Sequence, residues 1–411
     1  MKKLKRRLKV KIFQNLAKDF AMHSKNIKNS IESLTFPSNK SEEWRKIDLK
    51  RIKQLLSITH MKDDGHGNDD HLNILPIIAK NSFRIIVKNG VKDIDINNLP
   101  KGLDILTPNE IKKYINQSID NLKHQNDWAL ELNNKTNSDV FGIRVKTNNE
   151  VSLEIVIPEK INKLKASRFL FIVEESSNLN LLEVITGETC SAHSNISEMI
   201  IKENAIVNHG MIAISKGKSS LLAKRSVSQE VNSSYSFSFI NQGWNLSRIE
   251  PEIVQVKGQA DTDLRGLHIA QANQQLSTFS IIKFNGPNGN LNQLQKSMIE
   301  DNAHSIFNGI IEVPQVAQRT NAAQLSKNLL LTEKGQVDTK PELRIIADDV
   351  KCTHGATISE LEEEEIFYLQ SRGINSNEAT KLIIKGYAKD ILNQFPLSIQ
   401  RWSHLSSIFN Q

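Results

Sequence analysis

Hydrophobic residues follow two different periods along this chain, and the changes of period divide it into three parts. Over residues 13–56 they recur every three or four positions, which predicts helices. Beyond Asp139 the period becomes two, which predicts strands, and after Ser359 the helical period returns. The clearest alternating runs are Val151, Leu153, Ile155 and Ile157, and Phe307, Gly309, Ile311 and Val313.

The middle part of the chain is predicted to be entirely β. Turn-forming stretches such as Asn148-Asn149 and Gly286-Pro287-Asn288-Gly289 separate its short apolar runs, and no ten-residue amphipathic helix interrupts them. A sandwich, a barrel and a β-solenoid all consist of many short strands joined by turns, so the period alone does not separate them. No crisp sequence repeat decides between them.

Helix starts flank this β body, each marked by a residue that can cap a helix and an acidic residue three positions later. The pairs are Thr107 and Glu110, Ser359 and Glu362, and Asn375 and Glu378. Acidic residues after Ser359 suit the positive end of a helix dipole, and Gly373 suits a helix stop. The sequence therefore predicts a mostly helical domain over residues 1–137, a β core over 138–358 and a C-terminal helical domain over 359–411.

The formal net charge of +7 lies at one end of the chain. Seven basic residues fall within residues 1–11, which contain no acidic residue, so the remainder is balanced. A nucleic-acid-binding protein spreads its basic residues over a face that follows the phosphates. The arm is therefore interpreted as a solvated extension of the first helix, and no nucleic-acid partner is expected; DNA binding through the arm is kept as an alternative.

Composition excludes several classes of protein. No apolar run approaches the roughly 18 residues of a membrane-spanning helix, so no membrane partner is expected. The two cysteines, Cys190 and Cys352, form at most one disulfide, which excludes a disulfide-stapled secreted scaffold and favours a reducing, cytoplasmic compartment. Signatures of zinc proteases, nucleophile-elbow hydrolases and phosphate-binding loops are missing. His66 and His71 lie in a short polar stretch with two glycines, interpreted as a connector and not a metal loop.

Cys352 and His354 are the residues with the most informative chemistry. In an extended strand, residues two apart point to the same face, so the thiol and the imidazole would project side by side. Both groups are suitable ligands for iron. Two ligands do not make a site, because an iron–sulfur cluster needs about four, mostly thiolates. If metal chemistry takes place here, a second chain must complete the coordination; ordinary strand residues are the alternative interpretation.

The residues around this pair resemble the carboxyl-terminal signature of the SufD family of iron–sulfur assembly proteins. The matching stretches are Val350 to Thr357, Ile366 to Ile374 with Glu378-Ala379, Phe307-x-Gly309, Ala317 to Thr320, Gln324, Asn328 to Leu331, and Lys340 to Leu343. Phe36-Pro37, Glu43-Trp44 and Leu49 resemble the amino-terminal element of that family. The strong resemblance covers about residues 307–392. SufB, the paralogous scaffold, shares part of the signature, but with so few cysteines SufD is favoured.

The resemblance implies a right-handed parallel β-helix core between amino- and carboxyl-terminal helical domains. It implies a non-catalytic scaffold subunit of a SufBC2D complex, which pairs with SufB through the β-helix and binds a SufC ATPase through the carboxyl-terminal helices. His354 would help to bind a nascent iron–sulfur cluster together with a cysteine of SufB, and Cys352 would be secondary. No nucleotide would bind this chain, and the isolated chain would be able to pair with a second copy of itself.

An enzyme is the main alternative class. A carbohydrate-active β-helix of the lyase or hydrolase kind needs clustered carboxylates or basic groups in one groove. Asp261, Asp263 and Arg265 alternate on one strand face and are the residues available for such a site. Surface charges on a strand are the interpretation favoured for these three residues.

Overall fold

A computed structural model of the protein describes most of the β body and parts of the flanking segments. The described residues are 34, 36–57, 75–78, 82–88, 91–93, 99–121, 127–136, 140–158, 164–187, 191–406 and 408. The basic arm, the stretch with His66 and His71, and Cys190 lie outside these residues, as does most of the first predicted helix. The predictions made for them therefore stay predictions, as do the bounds of the three domains.

Strands make up most of the described chain. In chain order they are β1 (Ser82–Lys88), β2 (Val91–Asp93), β3 (Leu103–Ile105), β4 (Val140–Val145), β5 (Glu150–Ile157), β6 (Leu164–Val173), β7 (Asn178–Gly187), β8 (Ala192–Ile201), β9 (Ile206–Ser215), β10 (Ser220–Gln229), β11 (Ser234–Gln242), β12 (Leu246–Gln255), β13 (Asp261–Ala270), β14 (Gln275–Phe284), β15 (Asn290–Ile299), β16 (His304–Val313), β17 (Asn321–Leu330), β18 (Gln336–Ile345) and β19 (Lys351–Glu360). The alternating runs that predicted strands lie in β5 and β16, which confirms the prediction there.

The helices are few and flank the strands. They are the 3-10 turn Glu42–Trp44, α1 (Leu49–Ser57), α2 (Pro108–Tyr114), α3 (Gln117–Asp120), α4 (Trp128–Lys135), α5 (Glu363–Ser371), α6 (Ser376–Leu392) and the 3-10 segment Leu397–Leu405. Thr107 caps α2 and Asn375 caps α6, each accepting a hydrogen bond from the amide three residues later, as predicted. The helix start predicted at Ser359 is wrong, because β19 continues to Glu360 through its pairing with β17, and α5 begins only at Glu363.

The strands wind into a parallel β-solenoid. Odd-numbered strands from β5 to β19 form one sheet and even-numbered strands from β4 to β18 form the other, so successive strands alternate between two facing sheets. One coil takes about 28 residues, because Asn178 pairs with Ile206 and Ile206 pairs with Ser234. The mainly β class with a parallel solenoid core and flanking helices is therefore confirmed. Parallel pairing forces this winding, since a parallel neighbour is reached only through a long crossover.

One corner of the coil is built from residues in the left-handed backbone conformation. They form a column along the solenoid: Asn148, Ser176, Asn204, Asn232, Gln259, Asn288 and Arg319, each with a φ between 53° and 59°. Their amides donate to carbonyls of the adjacent coil, as Asn148 does to Glu175 at 3.3 Å and Ser176 does to Glu203 at 3.0 Å. Asparagine tolerates this conformation better than most residues. The asparagine-rich turns of the sequence are therefore the corners of the coil.

The two ends of the solenoid differ. At the N-terminal end, β2 pairs antiparallel with β1, and β3 pairs antiparallel with β4. These short strands terminate the two parallel sheets. At the C-terminal end each sheet finishes in a full ten-residue parallel strand, β18 in one and β19 in the other. We call this second end the open end.

Helical segments cover the outer face of each sheet. On the even-numbered sheet, Arg248 lies between the rings of Trp44, at 4.2 Å, and Phe279, at 4.9 Å, and it donates to the Glu43 carbonyl at 2.9 Å. On the odd-numbered sheet, Lys296 donates to the Tyr387 carbonyl of α6 at 2.7 Å and to the Asp390 carboxylate at 2.8 Å. Both flanking segments are thus fixed to the solenoid by cations that are themselves buried.

A charged cluster interrupts the apolar interior between the sheets. Glu183 pairs with Arg225 and accepts from Ser197 at 2.6 Å, while His209 lies 3.4 Å from the same carboxylate and 3.0 Å from the Tyr235 hydroxyl. Burial alone would raise the pKa of Glu183, but the Arg225 guanidinium and its other partners lower it to about 2. The buried carboxylate is therefore ionised and compensated.

The Glu183–Arg225 pair predicts how the stability of the fold depends on pH. A glutamate in the unfolded chain titrates near pH 4.5, whereas Glu183 in the fold stays ionised down to about pH 2. Its contribution to stability is complete above pH 4.5 and is lost as the pH falls towards 2. Arg225→Met should destabilise the fold by about 3–5 kcal/mol at pH 7, because it leaves a buried unpaired carboxylate. Urea unfolding measures both effects, and the double variant Glu183→Gln/Arg225→Met should recover part of the loss. An Arg225→Met protein as stable as the wild type contradicts the prediction.

Candidate functional site

The open end exposes the two terminal strands. All ten residues of β8, β10 and β12 are buried, whereas no residue of β18 or β19 is. Strand β19 pairs with β17, and β18 pairs with β16. Within the described ranges, the opposite edge of both strands has no partner, so its backbone amides and carbonyls are available to another chain.

Cys352 and His354 lie on β19 and face the interior of the last coil. Cys352 pairs with Ala322 and His354 pairs with Gln324, in register. Ala322 and Gln324 are buried, at 1% and 2% exposure, and Cys352 packs at the margin of the main core. The structure therefore brings the two predicted site residues together on one face, at the mouth of the space between the sheets. It tests no metal or cluster role for either residue.

The electrostatics of the two side chains differ. Cys352 is a free cysteine; burial raises the pKa of its thiol, and a hydrogen bond from the Ala322 backbone offsets this only in part. His354 is exposed. In the described part of the chain, no group of three or more histidine, cysteine, aspartate or glutamate side chains is arranged to hold a metal ion. Among the described residues, this mouth therefore offers two candidate ligands for iron, one thiol and one imidazole.

Below His354 lies a stack of amide side chains that sequence reasoning noticed only at Gln324. The Gln324 amide nitrogen donates to the Gln293 amide oxygen at 2.8 Å, and the Gln293 nitrogen donates to the Ser280 hydroxyl at 2.8 Å. Gln293 and Gln324 are in-register neighbours on β15 and β17. In the sequence these residues stand out only as polar residues at inward-facing positions of alternating strands. Recognising them requires knowing which face of each strand points inward.

The N-terminal segment reaches the open end from the outside. Glu42 pairs with Lys340 of β18, and Lys46 lies 3.0 Å from Asp338 of the same strand. Asp338 also lies 2.9 Å from His304 of β16. We call these contacts of residues 42 and 46 with β18 the staple. It holds the terminal strand of the even-numbered sheet on its outer face, although exposed ion pairs of this kind contribute little energy individually.

Helix α5 continues almost directly from the strand that bears the candidate site. Only two residues separate the end of β19 from the start of α5. No residue of α5 is buried; Phe367 is 71% exposed and Tyr368 is 57% exposed. A shallow depression on this helix is lined by Glu363, Glu364, Ile366, Phe367 and Gln370. After the turn at Gly373, where φ is +86°, the chain enters α6, which is packed on the odd-numbered sheet.

The carboxylates proposed for an enzyme site pair with their own neighbours. Arg265 donates to Asp263 at 2.7 Å and 3.1 Å, and Asn292 donates to Asp263 at 3.0 Å. Asn290 donates to Asp261 at 2.9 Å. These contacts form a ladder across neighbouring strands on the outer face, as expected for surface charges.

Among the described residues, no helix has both the length and the apolar character needed to cross a membrane.

Comparison with known proteins identifies the solenoid. Residues 156–387 match the family model described as the SufBD core domain of SUF-system iron–sulfur cluster assembly. An iron–sulfur cluster assembly SufBD family protein of Synechocystis is 31% identical over 89% of this chain and 85% of its own length. Protein ABCI7, chloroplastic, of Arabidopsis thaliana is 29% identical over 89% of this chain and 80% of its own length. The SufD protein of Escherichia coli is 39% identical over 33% of each chain.

The free edge of β19 predicts a measurable pattern of hydrogen exchange. In the dilute isolated chain, alternate amides of β19 lack a partner strand and should exchange within minutes, whereas amides of β13, paired on both sides, should stay protected. Exchange followed by mass spectrometry on peptides covering residues 351–360 and 261–270 tests this. Protection of β19 equal to that of β13 at every protein concentration contradicts an open edge, and protection that rises with concentration indicates pairing of two copies.

Proposed function

Because the chain belongs to the SufBD family, which acts in iron–sulfur cluster assembly, we propose that it is a non-catalytic scaffold subunit of a SufBC2D-type complex. The observation that carries the proposal is the position of Cys352 and His354, two soft donors at the mouth of an unpaired solenoid end. Two donors are too few for a cluster. A partner whose own strands meet this edge would bring further donors to the same place.

The proposed partner at the open end is a SufB-like paralogue. Strand β19 offers a ten-residue outer edge on which alternate backbone groups are unpaired, enough for strand addition by another solenoid. Apolar side chains stand exposed at the same end, with Ile358 52% and Ile345 39% exposed. Pairing would bury these groups and continue both sheets across the seam. A second copy of this chain is the competing occupant of the edge when the isolated protein is concentrated.

The cargo at the seam is proposed to be a nascent iron–sulfur cluster. The His354 imidazole would bind iron through a nitrogen that carries no proton, and a SufB cysteine would supply a thiolate. Cys352 is assigned a secondary part, because burial holds its thiol in the protonated form. No nucleotide is assigned to this chain. A reducing, cytoplasmic compartment is proposed from the low cysteine content.

The proposed partner at α5 is a SufC-like ATPase. An exposed helix with two large aromatic side chains and an acidic first turn is a suitable docking element for a groove. Since α5 follows β19 after two residues, a displacement of α5 acts on the strand that bears His354. Helix α6 is anchored on the solenoid by Lys296, so the turn at Gly373 separates a movable helix from a fixed one. ATP-driven movement of the partner would thereby strain or open the seam.

His354→Ala in the co-expressed complex tests the scaffold proposal. It should reduce the iron and sulfide recovered with the complex by tenfold or more, because a ligand at the seam is lost. Iron and acid-labile sulfide per complex are measured after anaerobic purification. Thr353→Ala, on the same strand but the opposite face, is the matched control and should leave the yield unchanged. An intact His354→Ala complex with normal cluster content removes the ligand role of His354.

Phe367→Asp tests the docking of α5. Because Phe367 is exposed, the variant should keep the unfolding midpoint of the wild type while it loses co-purification with the ATPase subunit. Ile206→Asp, which replaces another exposed apolar residue in strand β9, is the control and should keep the ATPase bound. Retention of the ATPase by Phe367→Asp would place its docking surface elsewhere on the chain.

A further inference from the structure

A buried, unpartnered amide oxygen lies one coil below His354. Gln324 is 2% exposed, and its amide oxygen has no hydrogen-bond partner among the residues that the structure describes. Buried polar atoms of this kind are rare in folded proteins and call for an explanation. Several buried amide oxygens have no partner among the described residues, and this one belongs to the residue that pairs in register with His354.

The Gln324 amide is the last member of a hydrogen-bonded stack. Its nitrogen donates to the oxygen of Gln293, whose own nitrogen donates to the Ser280 hydroxyl. Turning the Gln324 amide over by itself would bring two oxygens together at 2.8 Å, the present distance between the Gln324 nitrogen and the Gln293 oxygen. Because a serine hydroxyl can donate as well as accept, the stack has one reversed arrangement, in which both amides turn together and Gln324 keeps an unpaired nitrogen. In the arrangement of this structure the unpaired atom is the Gln324 oxygen, an acceptor.

The facing sheet confines the same amide. A Cβ atom built on Gly309 of β16 would lie 2.3 Å from the Gln324 amide nitrogen. A side chain at position 309 would therefore require the Gln324 amide to move from its hydrogen-bonded position. Gly309 and Gln324 both belong to the stretches that resemble the SufD family, and this contact gives them a shared structural reason.

One coil step is short enough for a hydrogen bond between stacked side chains. In-register neighbours on adjacent parallel strands lie about 4.8 Å apart, and the step from Gln293 to Gln324 already brings their side-chain atoms to 2.8 Å. The next step in this column leads to His354. The register alone relates the two side chains, and no hydrogen bond joins them in this structure. An imidazole N–H is a donor of the kind that the unpaired amide oxygen lacks.

We propose that Gln324 is a positioning residue for His354, accepting a hydrogen bond from one imidazole N–H through its amide oxygen. The bond fixes the tautomer, so that the other ring nitrogen carries a lone pair and faces the seam. Neutral histidine ligands in proteins are oriented in this way by an acceptor on their second nitrogen. This inference rests on the proposed function, because it concerns the ligand geometry of the same histidine.

The test is a comparison of imidazole tautomers in the isolated full chain. With histidine labelled by ¹⁵N, two-bond nitrogen–proton spectra distinguish the tautomers, and His354→Ala identifies the resonances of that residue. In the wild type His354 should be held in one tautomer, and Gln324→Leu should shift it to the mixture of a free imidazole. Gln295→Leu removes an equally buried amide from the neighbouring column, which ends at Ala356, and should leave His354 unchanged.

Equal His354 spectra in the wild type and Gln324→Leu overturn the proposal. Should Gln324→Leu not fold, the wild type alone decides: a slowly exchanging imidazole N–H supports the hydrogen bond, and exchange at the rate of a free imidazole overturns it. In the co-expressed complex, Gln324→Leu should lower recovered iron by about tenfold to a hundredfold, and Gln295→Leu should not.

The two proposals fail separately. If Gln324→Leu changes the tautomer of His354 but His354→Ala leaves the cluster content unchanged, the positioning role of Gln324 is supported and the scaffold role of His354 is contradicted. If His354→Ala lowers the cluster content but Gln324→Leu changes neither the tautomer nor the iron yield, the scaffold role of His354 is supported and the positioning role of Gln324 is contradicted.

Discussion

The hydrogen bonding of stacked parallel coils is the constraint on which this structure depends. Each coil satisfies the amides and carbonyls of its neighbours, and an unpaired buried backbone group is costly, so a solenoid must terminate at both ends. Short antiparallel strands terminate the N-terminal end. The C-terminal end instead retains two full-length parallel strands. Among the described residues, the same physical rule that stabilises the middle of the molecule therefore leaves unpaired backbone groups at its last coil.

The interior of the solenoid changes character towards that end. The column of in-register residues that contains Leu181 and His209 passes through Phe237 and Leu264 before it reaches two glutamines and His354. Next to the charged cluster at His209, Phe237 and Leu264 pack in the middle of this column, where coils cover one another on both sides. Amides near the open end form directional hydrogen bonds, which specify register more strictly than apolar contacts do. The stack of amides below the candidate site therefore constrains both the register of the strands and the direction of the hydrogen bonds between them.

The sequence predicted the β body, its turns and the shared face of Cys352 and His354, because these follow from local alternation and backbone preference. The alternation alone left sandwich, barrel and solenoid open, since pairing partners about 28 residues apart share no obvious repeat: His209 stacks under Phe237, and Leu264 under Gln293. Only the resemblance to the SufD family implied the solenoid. The capping-box spacing at Ser359 misled for a related reason, as pairing with β17 outweighed the local helix signal. The acceptor role proposed for Gln324 could not be predicted from the sequence, because the neighbours of its side chain lie on other strands.

The staple joins two distant parts of the chain, because Glu42 and Lys46 contact β18, a strand almost 300 residues later. During synthesis the N-terminal segment emerges first and β18 emerges near the end. The staple can therefore form only after most of the chain has been synthesised. A product terminated before β18 lacks the strand to which the N-terminal segment attaches, so this contact distinguishes a chain that has reached its last coil from one that has not.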